Sequence, residues 1–121
     1  MKIRAVAFML AALGLSTLVT AKRVTPKPVD PVVANGVEYS APLIDGRVGT
    51  VVATDVQTHK QLWSVEVFRV HLNPLREEDN QWVFITNLSL EGDSILVRNE
   101  AAHCYRVDLK TKTVKRVKCA R

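Results

Sequence analysis

This chain has little with which to do chemistry. Its 121 residues include two cysteines and three histidines. Cys104 and Cys119 make no Cys-x-x-Cys pair, and His59, His71 and His103 fall at no i, i+4 helical spacing, so zinc-ligand spacing is absent. There is no Gly-x-Ser-x-Gly elbow, and the five glycines are scattered, so no loop is built to cradle phosphate. Glu77, Glu78 and Asp79 are contiguous in one polar loop, whereas acid–base work needs carboxylates in distinct environments. His59 reads as a turn residue and His71 as a strand end. His103 and Cys104 are neighbours on a strand pattern and so point to opposite faces. The expectation is a protein with no catalytic residue, no metal and no cofactor. No apolar run reaches the roughly 20 residues of a membrane-spanning helix.

What is present begins with the first 21 residues. Lys2 and Arg4 precede an apolar run from Ala5 to Val19, and Val19-Thr20-Ala21 places small residues at a cleavage site. Residues 1–21 read as a signal peptide, which implies an exported chain, periplasmic or secreted. No cysteine follows closely, which disfavours a lipid anchor. Cleavage after Ala21 leaves 100 of the 121 residues, enough for one core, with no integral membrane segment. Both cysteines survive cleavage, and an even count in an oxidising compartment favours one disulfide, Cys104–Cys119.

Charge is unevenly placed. The formal net charge is +5, and +3 without Lys2 and Arg4. Residues 106–121 hold seven basic residues against Asp108 alone, while Lys22 to Tyr105 sum to −3. A basic end of this kind attracts an acidic protein or an anionic envelope component. A plain alternative is an edge strand guarded by lysines against edge-to-edge pairing. Tyr105 beside basic residues also fits single-stranded nucleic acid, but an exported chain does not work on such a ligand, so none is expected.

Residues 22–37 read as a proline-rich linker, with Pro26, Pro28 and Pro31 breaking any ladder and Asn35-Gly36 marking a turn. Residues 38–121 read as a β domain. Val48 to Val56, Leu62 to Leu72, Trp82 to Leu90, Ile95 to Arg98, His103 to Leu109 and Val114 to Cys119 are strand-like runs separated by turn residues. Leu62 to Leu72 is apolar on both faces, with Trp63, Val65 and Val67 on one and Phe68, Val70 and Leu72 on the other. That pattern implies a strand between two layers or one twisting between two environments. Asn73-Pro74 followed by acids predicts a single helical turn or an acidic loop. The fold class is all-β, a small antiparallel sheet or sandwich of five to six strands with blade-like hairpins.

Two segments repeat. Asp55-Val56-Gln57-Thr58 and Asp108-Leu109-Lys110-Thr111 both read Asp-x-x-Thr between strand-like runs. The aspartate of such a turn caps backbone amides. Upstream, Leu43-Ile44-Asp45-Gly46-Arg47-Val48 pairs with Leu90-Glu91-Gly92-Asp93-Ser94-Ile95, each placing an acid–glycine turn before a β-branched strand. Ser40 to Val48 and Val52 to Trp63 together resemble the blade repeat of pyrroloquinoline-quinone-type β-propellers, and Leu90 to Val117 resembles a second, worn copy. The turn glycine of that repeat is replaced by His59 and Lys112. The resemblance implies blade-like hairpins; the chain is too short for a complete propeller, and no quinone site is carried over.

The functional expectation is an exported protein-binding module of inhibitor, immunity or envelope-accessory type, not an enzyme. Its expected contact surface is Tyr105, Arg106, Lys115, Arg116 and Lys118. The alternatives are a small exported hydrolase using His103 with an acidic partner, and a structural domain that oligomerises by edge-strand pairing.

Overall fold

The computed structural model describes residue 24 and residues 26–120; the leader read at 1–21 lies outside the described residues. The chain is all-β. Eight strands run in order: β1 (Val32–Ala34), β2 (Val37–Ser40), β3 (Val48–Asp55), β4 (Gln61–Arg69), β5 (Ile85–Glu91), β6 (Ser94–Asn99), β7 (Cys104–Asp108) and β8 (Val114–Val117). They make two four-stranded antiparallel meanders, β1-β2-β3-β4 and β5-β6-β7-β8. Among the described residues the strands number eight rather than five to six, because β1 and the start of β2 form within the stretch read as a linker. Asn35 (φ 52°) and Gly36 (φ 76°) make the two-residue hairpin between them. Positive φ at both central positions is the type I′ requirement, which Asn-Gly meets at low cost.

One hydrophobic cluster joins the sheets. Val51, Ala53 and Val67 contribute from the first sheet, and Leu88, Ile95, Val97 and Val107 from the second. Val51, Ile95, Val97 and Val107 are essentially sealed from solvent, and each such side chain contributes about 1.5–3 kcal/mol of transfer free energy. Across the interface Phe68 stacks on Tyr105, with ring centroids 5.4 Å apart and an interplanar angle of 19°.

The two-faced run of β4 is resolved by a bulge. Gly49 pairs with Phe68, but Thr50 pairs with Glu66, which leaves Val67 without an opposite residue. An extra residue reverses the alternation beyond it. Trp63, Val65 and Val67 therefore share the core side with Phe68. Gly49 makes this possible, since a Cβ there would run into the Phe68 ring.

The sheets are linked by residues 70–84. Of the helical turn expected there, a single 3-10 turn forms at Asp79–Gln81. Asn73 does cap locally, its Oδ1 accepting from the Leu75 amide at 2.9 Å. The segment is stitched by Gln81, whose Oε1 accepts from the Asn73 amide at 2.6 Å and whose Nε2 donates to the Asn73 carbonyl at 3.0 Å. No helix among the described residues is long and apolar enough to cross a membrane.

Both Asp-x-x-Thr segments form the same turn, one joining β3 to β4 and one joining β7 to β8. Asp55 Oδ1 accepts from the amides of Gln57 (2.8 Å) and Thr58 (3.0 Å), and Asp108 Oδ1 accepts from those of Lys110 (2.8 Å) and Thr111 (2.9 Å). His59 and Lys112 each donate an amide to the aspartate carbonyl at 2.8 Å. Both sit at φ 62°, the left-handed conformation that glycine adopts without strain. The acid–glycine pairs are not equivalent in this way. Gly92-Asp93 is the β5–β6 hairpin, whose counterpart in the first sheet is Asn35-Gly36, whereas Asp45-Gly46 lies in the longer β2–β3 connection.

Candidate basic face and inter-sheet cavity

The five residues expected to form one surface divide between the two faces of the second sheet. β7 and β8 pair Tyr105 with Arg116 and Arg106 with Lys115. Alternation puts Tyr105 and Arg116 on the side of the first sheet. There the Arg116 guanidinium sits 5.8 Å from the Tyr105 ring centroid, and Tyr105 is committed to Phe68. Arg106 and Lys115 project from the opposite, outer side. Lys118 follows the end of β8 and lines, with Arg106, an outer cavity of about 220 Å³.

That outer face has components the sequence reading passed over. Arg98 on β6 pairs with Cys104 and therefore projects from the same side. Asn87 and Ser89 on β5 also line the cavity, with Leu96, Val117 and the disulfide as its apolar part. Arg106 donates to Glu91 Oε1 at 2.7 Å. Among the described residues Arg98, Lys115 and Lys118 have no acidic partner, so three cations stand free beside one neutralised pair. The one signal in the sequence that marks Arg98 is its parity with Arg106 through Leu96, and that parity requires the β6–β7 register.

Cys104 and Cys119 are joined by a disulfide, with Cα atoms 5.2 Å apart. Cys104 lies opposite Val117. A regular ladder would leave Cys119 a diagonal step away, roughly 7–8 Å at Cα. β8 ends at Val117, and the freed chain crosses back to Cys104. The bridge anchors Lys118 over the outer face and is compatible with an oxidising compartment.

Acids elsewhere are held in their charged form by nearby donors. The Arg47 guanidinium, donating to the Asp45 carboxylate at 2.9 and 3.0 Å with help from the Arg47 amide, holds Asp45 down to about 2. The Thr58 and Gln57 amides lower Asp55, and the Thr111 and Lys110 amides lower Asp108. These shifts belong to turns and to no cleft. Among the described residues no group of three or more His, Cys, Asp or Glu is placed to hold a metal ion.

His103 lies, as the alternation predicts, on the opposite side from Cys104. It lines a second cavity, of about 180 Å³, between the sheets with Phe68, Val70, Asn99 and Tyr105. His59 is exposed in its turn, and His71 follows the end of β4. No protein-family model matches the chain, and no curated protein is significantly similar to it.

Proposed function

We propose that the chain is an exported binding module that acts by protein contact and catalyses nothing. The observation that carries this reading is the outer face of the second sheet, where among the described residues Arg98 and Lys118 stand without acidic partners around a partly apolar cavity and Lys115 projects from the same side of the sheet. A face of unpaired cations with an apolar floor suits the acidic surface of a protein, because charge steers the encounter and apolar contact retains it. Residues 1–21 and the disulfide support a periplasmic or secreted location. The likeness to quinone-type propeller blades enters only as architecture; it is supported by two four-stranded meanders bearing the same turn, and it brings no quinone site.

The experiment is retention of partners from the exported fraction on immobilised mature protein, followed across a salt series. Retention should fall as salt screens the exposed charges. It should be lost in the triple variant Arg98→Glu, Lys115→Glu, Lys118→Glu and persist in Arg116→Glu, which lies on the other side. Full retention by the triple variant overturns the assignment.

A further inference from the structure

The second cavity has a chemistry that the basic face does not explain. Asn99 is 3 % exposed. Its side-chain oxygen is fully used, accepting from the amides of Ala101 and His103 at 3.0 Å each. Those bonds fix the orientation of the amide, so the other end is Nδ2. That NH₂ group has no partner among the described residues, although a buried donor left unpaired is costly. Asn99 borders the cavity of about 180 Å³. Parity places His103 and Tyr105 on the same inner side as Asn99, because Tyr105 pairs with Val97 two residues away on β6.

The surroundings define what fits. Phe68, Val70 and Val83 supply apolar wall, and the stacked Phe68–Tyr105 pair gives a flat one. The polar groups at the cavity are the Asn99 amide, His103, the Tyr105 hydroxyl and Arg69, and no acid lines it. Arg69 is exposed and held to Glu66 at 2.8 Å, so it marks the rim, and Asn99 is the buried polar residue of the lining. Apolar cavities of roughly 150 Å³ accept a single benzene ring. We propose that this inter-sheet cavity binds a small monocarboxylate with a compact apolar body, a single ring or a short branched chain, whose carboxylate oxygen accepts from Asn99 Nδ2. This site is separate from the basic outer face and does not depend on it.

The test is titration of the mature, disulfide-bonded protein with benzoate, followed by ¹H–¹⁵N NMR. The expected result is saturable shifts of the Asn99 side-chain NH₂ and of the Phe68 and Tyr105 signals. Asn99→Asp keeps the oxygen that caps Ala101 and His103 but replaces the donor with an acceptor, and should weaken benzoate about tenfold or more. Should that variant fail to fold, Ala101→Phe fills the cavity from a turn outside both ladders and should abolish the shifts. Benzamide, which lacks the charge, should bind more weakly than benzoate. No saturable shift, meaning that water alone occupies the cavity, overturns the proposal. So does equal binding of benzamide, or unchanged binding in the foldable variants.

Discussion

Restoring glycine at the two equivalent turns should have unequal effects, and the inequality follows from one contact. His59 and Lys112 both stand at φ 62°. A non-glycine residue in that conformation costs about 1–2 kcal/mol, while glycine there adds an entropic cost of about 0.5–1 kcal/mol. His59→Gly should therefore stabilise by about 0.5–1 kcal/mol, since His59 is exposed and its imidazole makes no hydrogen bond among the described residues, only a weak charge attraction to Asp55. Lys112 differs because its ammonium lies 5.2 Å from the Trp63 ring centroid, which ties the second turn to the first sheet. An exposed cation–π contact contributes about 0.5–1 kcal/mol, so Lys112→Gly should come out near zero. For a domain of this size 1 kcal/mol moves Tm by about 4–8 °C. Thermal unfolding by circular dichroism should show His59→Gly higher by about 2–8 °C and Lys112→Gly within about 2 °C of the parent. His59→Asn should fall between, because asparagine tolerates the left-handed region. Equal gains at both turns would remove the role given to the Lys112–Trp63 contact. A loss in His59→Gly would falsify the strain argument itself.

Removing the disulfide with Cys104→Ala and Cys119→Ala together, at a sequence separation of 15, should cost about 3 kcal/mol by the chain-entropy account; urea unfolding that shows no shift in midpoint would refute it. Acid should destabilise the fold by a predictable sign. Asp45, Asp55 and Asp108 have carboxyls held below their ordinary value, Asp45 at about 2, so their contribution is complete above the ordinary carboxylate value of about 3.9 and is lost as pH falls through it toward those lowered values. Tm should drop between about pH 5 and pH 2, and Asp108→Asn should show a smaller drop because it has no proton to take up there; an identical drop in parent and variant would count against the Asp108 cap.

Much of the fold was written in short-range signals. The Asp-x-x-Thr turns, the Asn35-Gly36 turn and the Cys104–Cys119 bridge each depend on residues within a few positions of a turn, so sequence spacing carries them. β1 was not legible, because three residues show no alternation and Pro26, Pro28 and Pro31 dominate the segment before it. The bulge in β4 was half legible. The apolar pattern of Leu62 to Leu72 changes phase after Val67, but only pairing with Gly49 and Thr50 shows the change as an inserted residue rather than as two buried faces. The role of Gln81 gave no sign, since its bonds to Asn73 span eight residues of irregular chain. The basic surface was legible as a charge run but not as a face. Counting along β7 and β8 places Tyr105 and Arg116 together, and only the packing of the first sheet shows that Tyr105 is taken up by Phe68 while Arg116 stays exposed on that side.

That division bears on what the charge is for. Lysines along an edge strand are explained by protection against edge pairing, and β8 with Lys115, Arg116 and Lys118 at the margin of its sheet fits that account. Arg98 does not. It lies on β6, between β5 and β7, where both sides of the strand are already bonded and no edge needs guarding. Its guanidinium has no acidic partner among the described residues, yet it stands on the outer side with Arg106 and Lys115. A free cation in the interior of a sheet, on the face toward solvent, gains nothing from neighbours it lacks and adds repulsion to the cations beside it. Arg106 is answered by Glu91 at 2.7 Å, while Arg98 two positions away on the ladder is left unanswered. Edge protection thus accounts for β8 and stops there; the proposed anion-meeting face would account for β8 and β6 together, and the salt series on the Arg98, Lys115, Lys118 triple variant decides between them.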